Sequence, residues 1–413
     1  MTPSRLAAPH DAIHDLVYDV IVVGAGPAGS ATAALMAASG ARVLVLDRAC
    51  FPRDKPCAEY VSPGAVRILE RLGALERLTP DVGRRLRGME LRAPDGGRYL
   101  VEYVADGVRH WGMAVARAEL DVALLELAHD RGAEVRQRCR ATALLRAEDG
   151  TVCGVRAVDA AAGESELRAG LVVGADGLHS VVVRELGLKA PVRWPRRLGL
   201  VAHFADVPWR HDYGEMRVGR HGYAGVAPLD ARGLVSVGVA TRLPAGPVGP
   251  PLAALRAVVA EHPDLERRLE RGRLVRPVQG VGPLAHAVRA SAGPGYLLVG
   301  DAAGFVDPFT GEGIFRALRG AELAADAACR ALAGADADPG GTYRRCRQAV
   351  FGAKQRLTTL VQLFVAVPAL MNYAIAHLRR RPHLGAQLSR ALGDLEPAGP
   401  TLQAAYLWAL LSP

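Results

Sequence analysis

The chain has 413 residues, 50% of them hydrophobic and 23% charged, which is enough for roughly two or three domains with separate cores and excludes a disordered or fibrous protein. The formal net charge is +9, but the only lysines are Lys55, Lys189 and Lys354 and the arginines are spread along the whole length. No nucleic-acid surface is therefore expected, because such a surface needs clustered bases with interleaved aromatics. Six cysteines (Cys50, Cys57, Cys139, Cys153, Cys329 and Cys346) form neither a CxxC pair nor a zinc spacing, so no metal site is expected, and reduced thiols fit a cytoplasmic setting. The N-terminus lacks the basic, apolar and small-residue succession of a secretory signal.

Residues 1–17 read as a loose leader. A βαβ unit follows, with a strand over 18–23, a turn from Gly24 to Gly29, a helix to about 39 and a strand over 42–47. Gly24, Gly26 and Gly29 form GxGxxG between strand and helix, which suits a tight turn, close backbone approach to a pyrophosphate and tight strand–helix packing. The helix start then offers free N–H groups to phosphate. Asp47, with Arg48 beside it, stands at the end of the next strand, where an acid accepts hydrogen bonds from an adenosine ribose. A loop spans 51–64, helical spacing returns at 65–78, and 81–104 reads as a hairpin turning at Asp95, Gly96 and Gly97. A helix follows over about 117–131, and short strands over 134–173 end in the apolar "LVVG".

From 190 to 280 short alternating strands dominate, with a helix near 251–271, describing a β-rich second domain. The chain returns to the first domain with the strand "YLLVG" before Asp301, and a helix begins near 312. Asp301 is placed to accept hydrogen bonds from ribityl hydroxyls. "DPFTGEGI", with Pro308, Gly311 and Gly313, aims the positive end of that helix at a ring that gains negative charge on reduction. The fold class is therefore α/β, with a discontinuous Rossmann-like nucleotide domain over 1–80, 105–188 and 281–330. A hairpin at 81–104 and a β-rich region at 189–280 form the substrate domain, and helices occupy 331–413. No second strand–GxGxxG–helix unit occurs, so NAD(P)H docks transiently over the flavin or electrons come from a partner protein.

From about residue 18 to 330 the chain resembles the flavoprotein superfamily that includes para-hydroxybenzoate-hydroxylase-type monooxygenases, flavin-dependent halogenases and geranylgeranyl reductases. "DRACFPRDKPCAEYVSPGAVRILERLG" and "GDAAGFVDPFTGEGI" are most similar to the geranylgeranyl reductase branch. The resemblance implies a glutathione-reductase-type FAD domain. Asp301 would sit on the ribityl chain, Arg117 of "VARAELD" on FAD, Asp176 of "GADG" near the pyrophosphate, and Cys57 near the flavin ring. Arg184 is displaced by one residue from its usual spacing to the preceding Ser180, which puts its role in doubt.

Two departures bear on the substrate. The reductase branch has Gly-Gly after the Cys of "KPC", where this chain has Ala58, Glu59 and Tyr60. The branch also places a Trp and a Phe before a proline in a sheet motif. The matching "GYAGVAP" has Gly225 and Ala227 there while keeping Tyr223 and Pro228, which opens the pocket. Cys57 and Glu59 are the catalytic candidates, Glu59 as a proton donor or base. Tyr60, Tyr223, Gly225 and Pro228 are the substrate candidates.

The favoured expectation is an NAD(P)H-dependent monooxygenase that uses O2 on an aromatic or polyketide-like molecule. Its alternative is C=C reduction of an isoprenoid. Halogenation ranks low because the Trp-x-Trp-x-Ile signature is missing around Trp194, and a non-catalytic FAD- or lipid-binding protein ranks lowest. The tail "LTTLVQLFVAVPALMNYAIAHLRRR" is apolar over about a bilayer span, yet holds Thr358, Thr359, Gln362, Asn372 and Pro368. A buried helix, a lid over a hydrophobic pocket or a dimer face fits it better than insertion, the following arginines leave peripheral membrane contact open, and the assembly is a monomer or homodimer.

Overall fold

Two sheets organise the chain, and each draws strands from distant parts of the sequence. The structure is a computed structural model that describes residues 18–78, 82–209, 211–244 and 249–412, and the expected leader lies outside the described residues. In chain order, β1 (Tyr18–Val23) leads through α1 (Pro27–Ala38) to β2 (Val43–Leu46), and α2 (Pro63–Leu72) precedes the hairpin β3 (Gly88–Arg92) and β4 (Arg98–Glu102). Next come α3 (Arg117–Asp130), β5 (Glu134–Arg136), β6 (Cys139–Arg146), β7 (Val152–Asp159) and β8 (Gly163–Gly174). The second half holds β9 (Arg197–Ala205), β10 (Tyr213–Val218), β11 (Gly222–Pro228), β12 (Val235–Arg242) and β13 (Tyr296–Leu298). It ends in α4 (Gly313–Leu332), α5 (Pro339–Ala366), α6 (Pro368–Arg380), α7 (Pro382–Leu392) and α8 (Ala404–Leu411).

The first sheet has the parallel order β5-β2-β1-β8-β13. β1 and β2 are near-continuous apolar runs because both of their faces are covered. β8 serves two purposes: its second half, Ala169 to Gly174, joins the parallel sheet, while its first half pairs antiparallel with β7. Small alanines on α1 let that helix lie close to the sheet, and α3, α4 and α5 pack into the same core. The expected short strands over 134–173 thus end in one long bent strand.

The second sheet runs β9-β12-β11-β10-β3-β4. The hairpin from the first quarter of the chain completes it through a parallel pairing of β3 with β10. One face is covered by two short helices, Pro251–Val259 and Pro263–Glu270. The expected single helix at 251–271 is broken there because Pro263 bars α-helical geometry at His262. The other face looks toward the first sheet and toward α5 and α6. The helix expected over 65–78 also stops early, at Leu72, with a short turn Leu75–Arg77 beyond it.

Candidate active site

One cavity of about 990 Å³ runs from the β1–α1 turn, past the Asp301 loop, to the inner face of the second sheet. Its phosphate end is built by the absence of side chains. Gly24 has φ +100, and a Cβ there would lie 2.6 Å from the Ala175 carbonyl oxygen. A Cβ on Gly29 would lie 1.8 Å from the Gly24 carbonyl oxygen, so only glycine lets the helix sit on the turn. Gly26 caps α1 with no side chain and Pro27 follows, which leaves the first-turn N–H groups open to an anion. Asp47 holds the turn from the side: Oδ2 accepts from Ala25 N–H and Oδ1 from Ala49 N–H, both at 2.8 Å. Arg48 is exposed at the rim.

Two cations meet around one acid, and a third faces Asp301. Arg117 donates to both oxygens of fully buried Asp121, at 2.8 and 2.7 Å, and Arg53 reaches Asp121 Oδ2 at 3.2 Å. Burial pushes the Lys55 ammonium down while Asp301 pulls it back up. Arg53 and Lys55 both line the cavity, and the sequence pattern gave no local signal for either.

At the other side of the cavity, β13 delivers Asp301 and the loop Asp307–Gly313. Gly311 has φ +68 and lies against the Tyr60 ring, where a Cβ would come within 2.4 Å. Buried Asp307 carries the loop. Its Oδ1 accepts from Tyr223 Oη at 2.6 Å and Phe309 N–H at 3.0 Å, and its Oδ2 accepts from Arg197 at 2.6 Å. Gln362 Oε1 completes the network on Arg197. Behind Gly313, Glu312 is fully buried and takes a hydrogen bond from Thr358 at 3.1 Å, and Lys354 bridges it toward Asp394, 2.8 Å away. Burial pushes both of these carboxyls up, against the pull of Arg316 and Lys354.

The substrate end is apolar. Met89, Leu91, Leu200, Met216, Val239 and Leu284 wall it. Gly225 faces Met216, whose Cε would be 3.3 Å from an added Cβ, and Gly238 faces Ala58 at 2.8 Å. Where the two ends meet stands the Cys57–Tyr60 segment. Burial pushes the Cys57 thiol up, with Arg117 opposing, so it is protonated at neutral pH. Glu59 has φ +59, the left-handed conformation that favours the glycine of the resembling branch. Its carboxylate is buried and held twice: Oε1 accepts from the Arg117 N–H at 3.1 Å, capping α3, and Oε2 pairs with His203 Nε2 at 2.6 Å. His203 comes from β9, 144 residues away, and no sequence pattern singled it out over His211 or His221. Tyr60 and Tyr103 share a hydroxyl contact of 2.5 Å.

The cavity therefore gathers Gly24, Gly26, Asp47, Arg48, Cys57, Glu59, Tyr60, Arg117, Asp176, Tyr223, Gly225, Asp301, Pro308, Gly311 and Gly313. Arg184 also lines it. Gly29 packs under the Gly24 turn, the close strand–helix packing expected of the third glycine, and does not itself line the cavity. One expected contact is corrected: Pro228 ends β11 opposite Val235, outside the cavity wall. The residues present fit an extended flavin dinucleotide. Gly26 lines the cavity with Arg53 Nη2, 3.5 Å away, as the one near neighbour that an added Cβ would meet. Buried Asp176 Oδ1 and Thr310 Oγ1, both on the cavity wall, have no partner among the described residues.

Comparison with known proteins agrees with this geometry. A family model described as "FAD binding domain" matches residues 17–236. A menaquinone reductase of Mycobacterium tuberculosis is 36% identical over 327 residues, covering 75% of this chain and 76% of its own. A digeranylgeranylglycerophospholipid reductase of Methanosarcina mazei is 31% identical over 329 residues, 77% of each chain. Solved structures of the same fold include a flavin-dependent brominase, with a TM-score of 0.80 at 22% identity over 91% of this chain and 93% of its own. A geranylgeranyl bacteriochlorophyll reductase-like protein of Thermoplasma acidophilum has a TM-score of 0.75 at 23% identity over 96% of each chain. The chain belongs to the FAD-dependent oxidoreductases of the para-hydroxybenzoate hydroxylase and geranylgeranyl reductase superfamily.

Proposed function

We propose that this oxidoreductase saturates a C=C bond in the polyprenyl chain of a quinone or lipid. The single observation that carries the reading is the division of the cavity. Its charged lining groups belong to the nucleotide-binding segments, the lining side chains Met89, Leu91, Leu200, Met216, Val239 and Leu284 are apolar, and Glu59 stands where the two ends meet. The relatives' names favour this alternative over the hydroxylation that the open pocket suggested, since menaquinone and digeranylgeranyl lipids both carry prenyl chains. The brominase shares the fold alone and carries no argument for halogenation.

Gly24, Gly26, Arg117, Asp301 and the Pro308–Gly313 loop would hold a flavin that, once reduced by NAD(P)H or a protein donor, would supply the hydride. The chain's own residues do the rest. Met89, Leu91, Leu200, Met216 and Leu284 bind and straighten the prenyl chain and exclude water. The carbon that does not receive hydride needs a proton. Glu59 and His203 hold one between Oε2 and Nε2, at the mouth between the two ends. The Cys57 thiol stands two residues away, its sulfur accepting from the Glu59 N–H at 3.3 Å. The balance is one C=C bond plus hydride plus proton giving CH–CH, with the reduced cofactor reoxidised and no oxygen consumed.

The test is anaerobic turnover of a prenylated naphthoquinone by reduced holoenzyme, read by mass spectrometry. A gain of two hydrogens that stays on the prenyl fragment after the headgroup is reoxidised to the quinone supports the reading, and a gain confined to the headgroup overturns it. A gain of one oxygen in air, with no anaerobic product, overturns it. Glu59→Gln is expected to lower kcat with KM nearly unchanged and to shift its pH profile. A change in KM alone would assign Glu59 to capping α3.

A further inference from the structure

The C-terminal helices carry an outer face that the cavity does not use. Leu363 and Val367 lie one turn apart at the end of α5, Val367, Leu370 and Tyr373 follow at spacings of three from the junction along α6, and all four are exposed. Tyr373 Oη donates to the Leu411 carbonyl at 2.9 Å, which sets α8 beside α6. There Trp408, 76% exposed, and Leu411, 53% exposed, stand one turn apart. The patch is thus a contiguous apolar strip edged by two amphipathic aromatics.

Charge says what covers it. From residue 339 to 393 the sequence contains no Asp or Glu, and none follows Glu396. Arg356, Arg379 and Arg380 are exposed on the same two helices, with Arg356 seven residues before Leu363 and Arg380 seven after Tyr373. The fold says how it is oriented. α5 and α6 meet at 112°, and no single helix among the described residues is long and apolar enough to cross a membrane. Their inner sides supply Val365, Met371 and Ile375 to the core that also holds Met216, Tyr223, Leu284 and Phe309. The helices that back this core, behind the residues lining the apolar end of the cavity, therefore turn their other side to the outside.

We infer that this face docks on the surface of an anionic lipid bilayer. Trp408, Leu411, Leu370 and Val367 sink into the headgroup–acyl boundary, and Arg356, Arg379 and Arg380 meet lipid phosphates. Trp and Tyr at the edge match the preference of their rings for that boundary. A second copy of this chain, itself basic on the same helices, would oppose arginine to arginine. The inference is independent of the redox reading, since docking requires neither turnover nor a particular substrate.

The test is flotation of the full-length holoprotein with vesicles of phosphatidylcholine alone or mixed with phosphatidylglycerol at about 7:3. The protein is expected to float with the mixed vesicles, and the fraction bound to fall as salt rises. Trp408→Ala with Leu411→Ser should reduce partition at least roughly tenfold. Arg379→Gln with Arg380→Gln should reduce it by a similar factor on anionic vesicles and leave neutral ones unchanged. Both variants should keep their FAD and their turnover of a detergent-solubilised short-chain substrate, which separates lost docking from lost chemistry. The inference is overturned if the wild type does not float, if both variants float as well as it does, or if sedimentation shows a dimer that Trp408→Ala with Leu411→Ser dissociates.

Discussion

Replacing Asp307 by Asn tests whether the flavin loop is hung from the second sheet. Asp307 is fully buried and accepts three hydrogen bonds, from Tyr223, Arg197 and the Phe309 N–H. The amide oxygen of Asn can keep the Tyr223 and Phe309 bonds. Its NH2 group then faces the Arg197 guanidinium, a buried charge left with Gln362 as its remaining partner. Breaking one side of a buried ion pair costs about 3–5 kcal/mol. Tyr223→Phe, in contrast, removes one hydrogen bond to a carboxylate that Arg197 still neutralises, costing about 1.5–3 kcal/mol. Thermal unfolding of the FAD-loaded protein should therefore rank wild type above Tyr223→Phe above Asp307→Asn. At roughly 2 °C per kcal/mol for a chain of this size, the Asn variant should lose about 5–10 °C. FAD affinity should fall in the same order, because Pro308 to Gly311 carry the ring's edge of the cavity. Equal stability of Asp307→Asn and wild type, or a larger loss in Tyr223→Phe, would refute the argument.

Three further outcomes follow from the same geometry. Gly29→Ala places a Cβ against the rigid Gly24 carbonyl, so the turn must shift, and FAD titration should show binding about 10–100-fold weaker with the fold intact by circular dichroism. Gly225 lines the cavity, and a Cβ there has its tightest contact with the flexible end of Met216, at 3.3 Å, and an ordinary one with the Gly238 carbonyl, at 3.8 Å. In Gly225→Trp stability should change by less than about 1.5 kcal/mol, while KM rises at least roughly tenfold for wide-headed substrates and less for slim chains; equal changes across a width series would count against the assigned wall. Glu215 and Asp264 set an acid limit. Burial raises both, but His211, Arg217 and Arg268 override it for Glu215, and Arg217 holds Asp264 at about 2. With folded-state values depressed, their stabilisation is complete above about pH 5 and is lost as pH falls through about 4 toward 2. Melting temperatures from pH 7 to 3 should drop more steeply for wild type than for Arg217→Met, and parallel slopes would remove the explanation.

What was legible in the sequence is what depends on neighbours along the chain. The strand–GxGxxG–helix unit, Asp47 at the next strand end and Asp301 after an apolar strand are local patterns, and all face one cavity. Pro368 in the apolar tail already argued against a straight span, and the helices bend there by 112°. What was not legible depends on pairs far apart. Arg197 and Asp307 are separated by 110 residues, Arg197 and Gln362 by 165, and Glu59 and His203 by 144. No periodicity distinguishes His203 from His211 until β9 places it against the Cys57 loop. The parallel pairing of β3 with β10 was equally invisible, because a hairpin's own pattern says nothing about which third strand it joins.

Glu59 joins the two kinds of information. Its departure from the glycine of the resembling branch was visible in the sequence, but the backbone there keeps the glycine's left-handed conformation, at φ +59. A non-glycine residue in that conformation costs roughly 1–2 kcal/mol, and burying a carboxylate costs more unless it is paired. Both costs are offset by the Arg117 N–H and by His203, the first on the FAD domain and the second on the substrate sheet. The substitution therefore ties the two sheets together at the mouth of the apolar cavity, next to the Cys57 thiol. A carboxylate needed only for stability could sit anywhere along that seam. One that keeps a left-handed backbone at the cavity wall, with His203 Nε2 at 2.6 Å, is what the proposed proton-donating role requires.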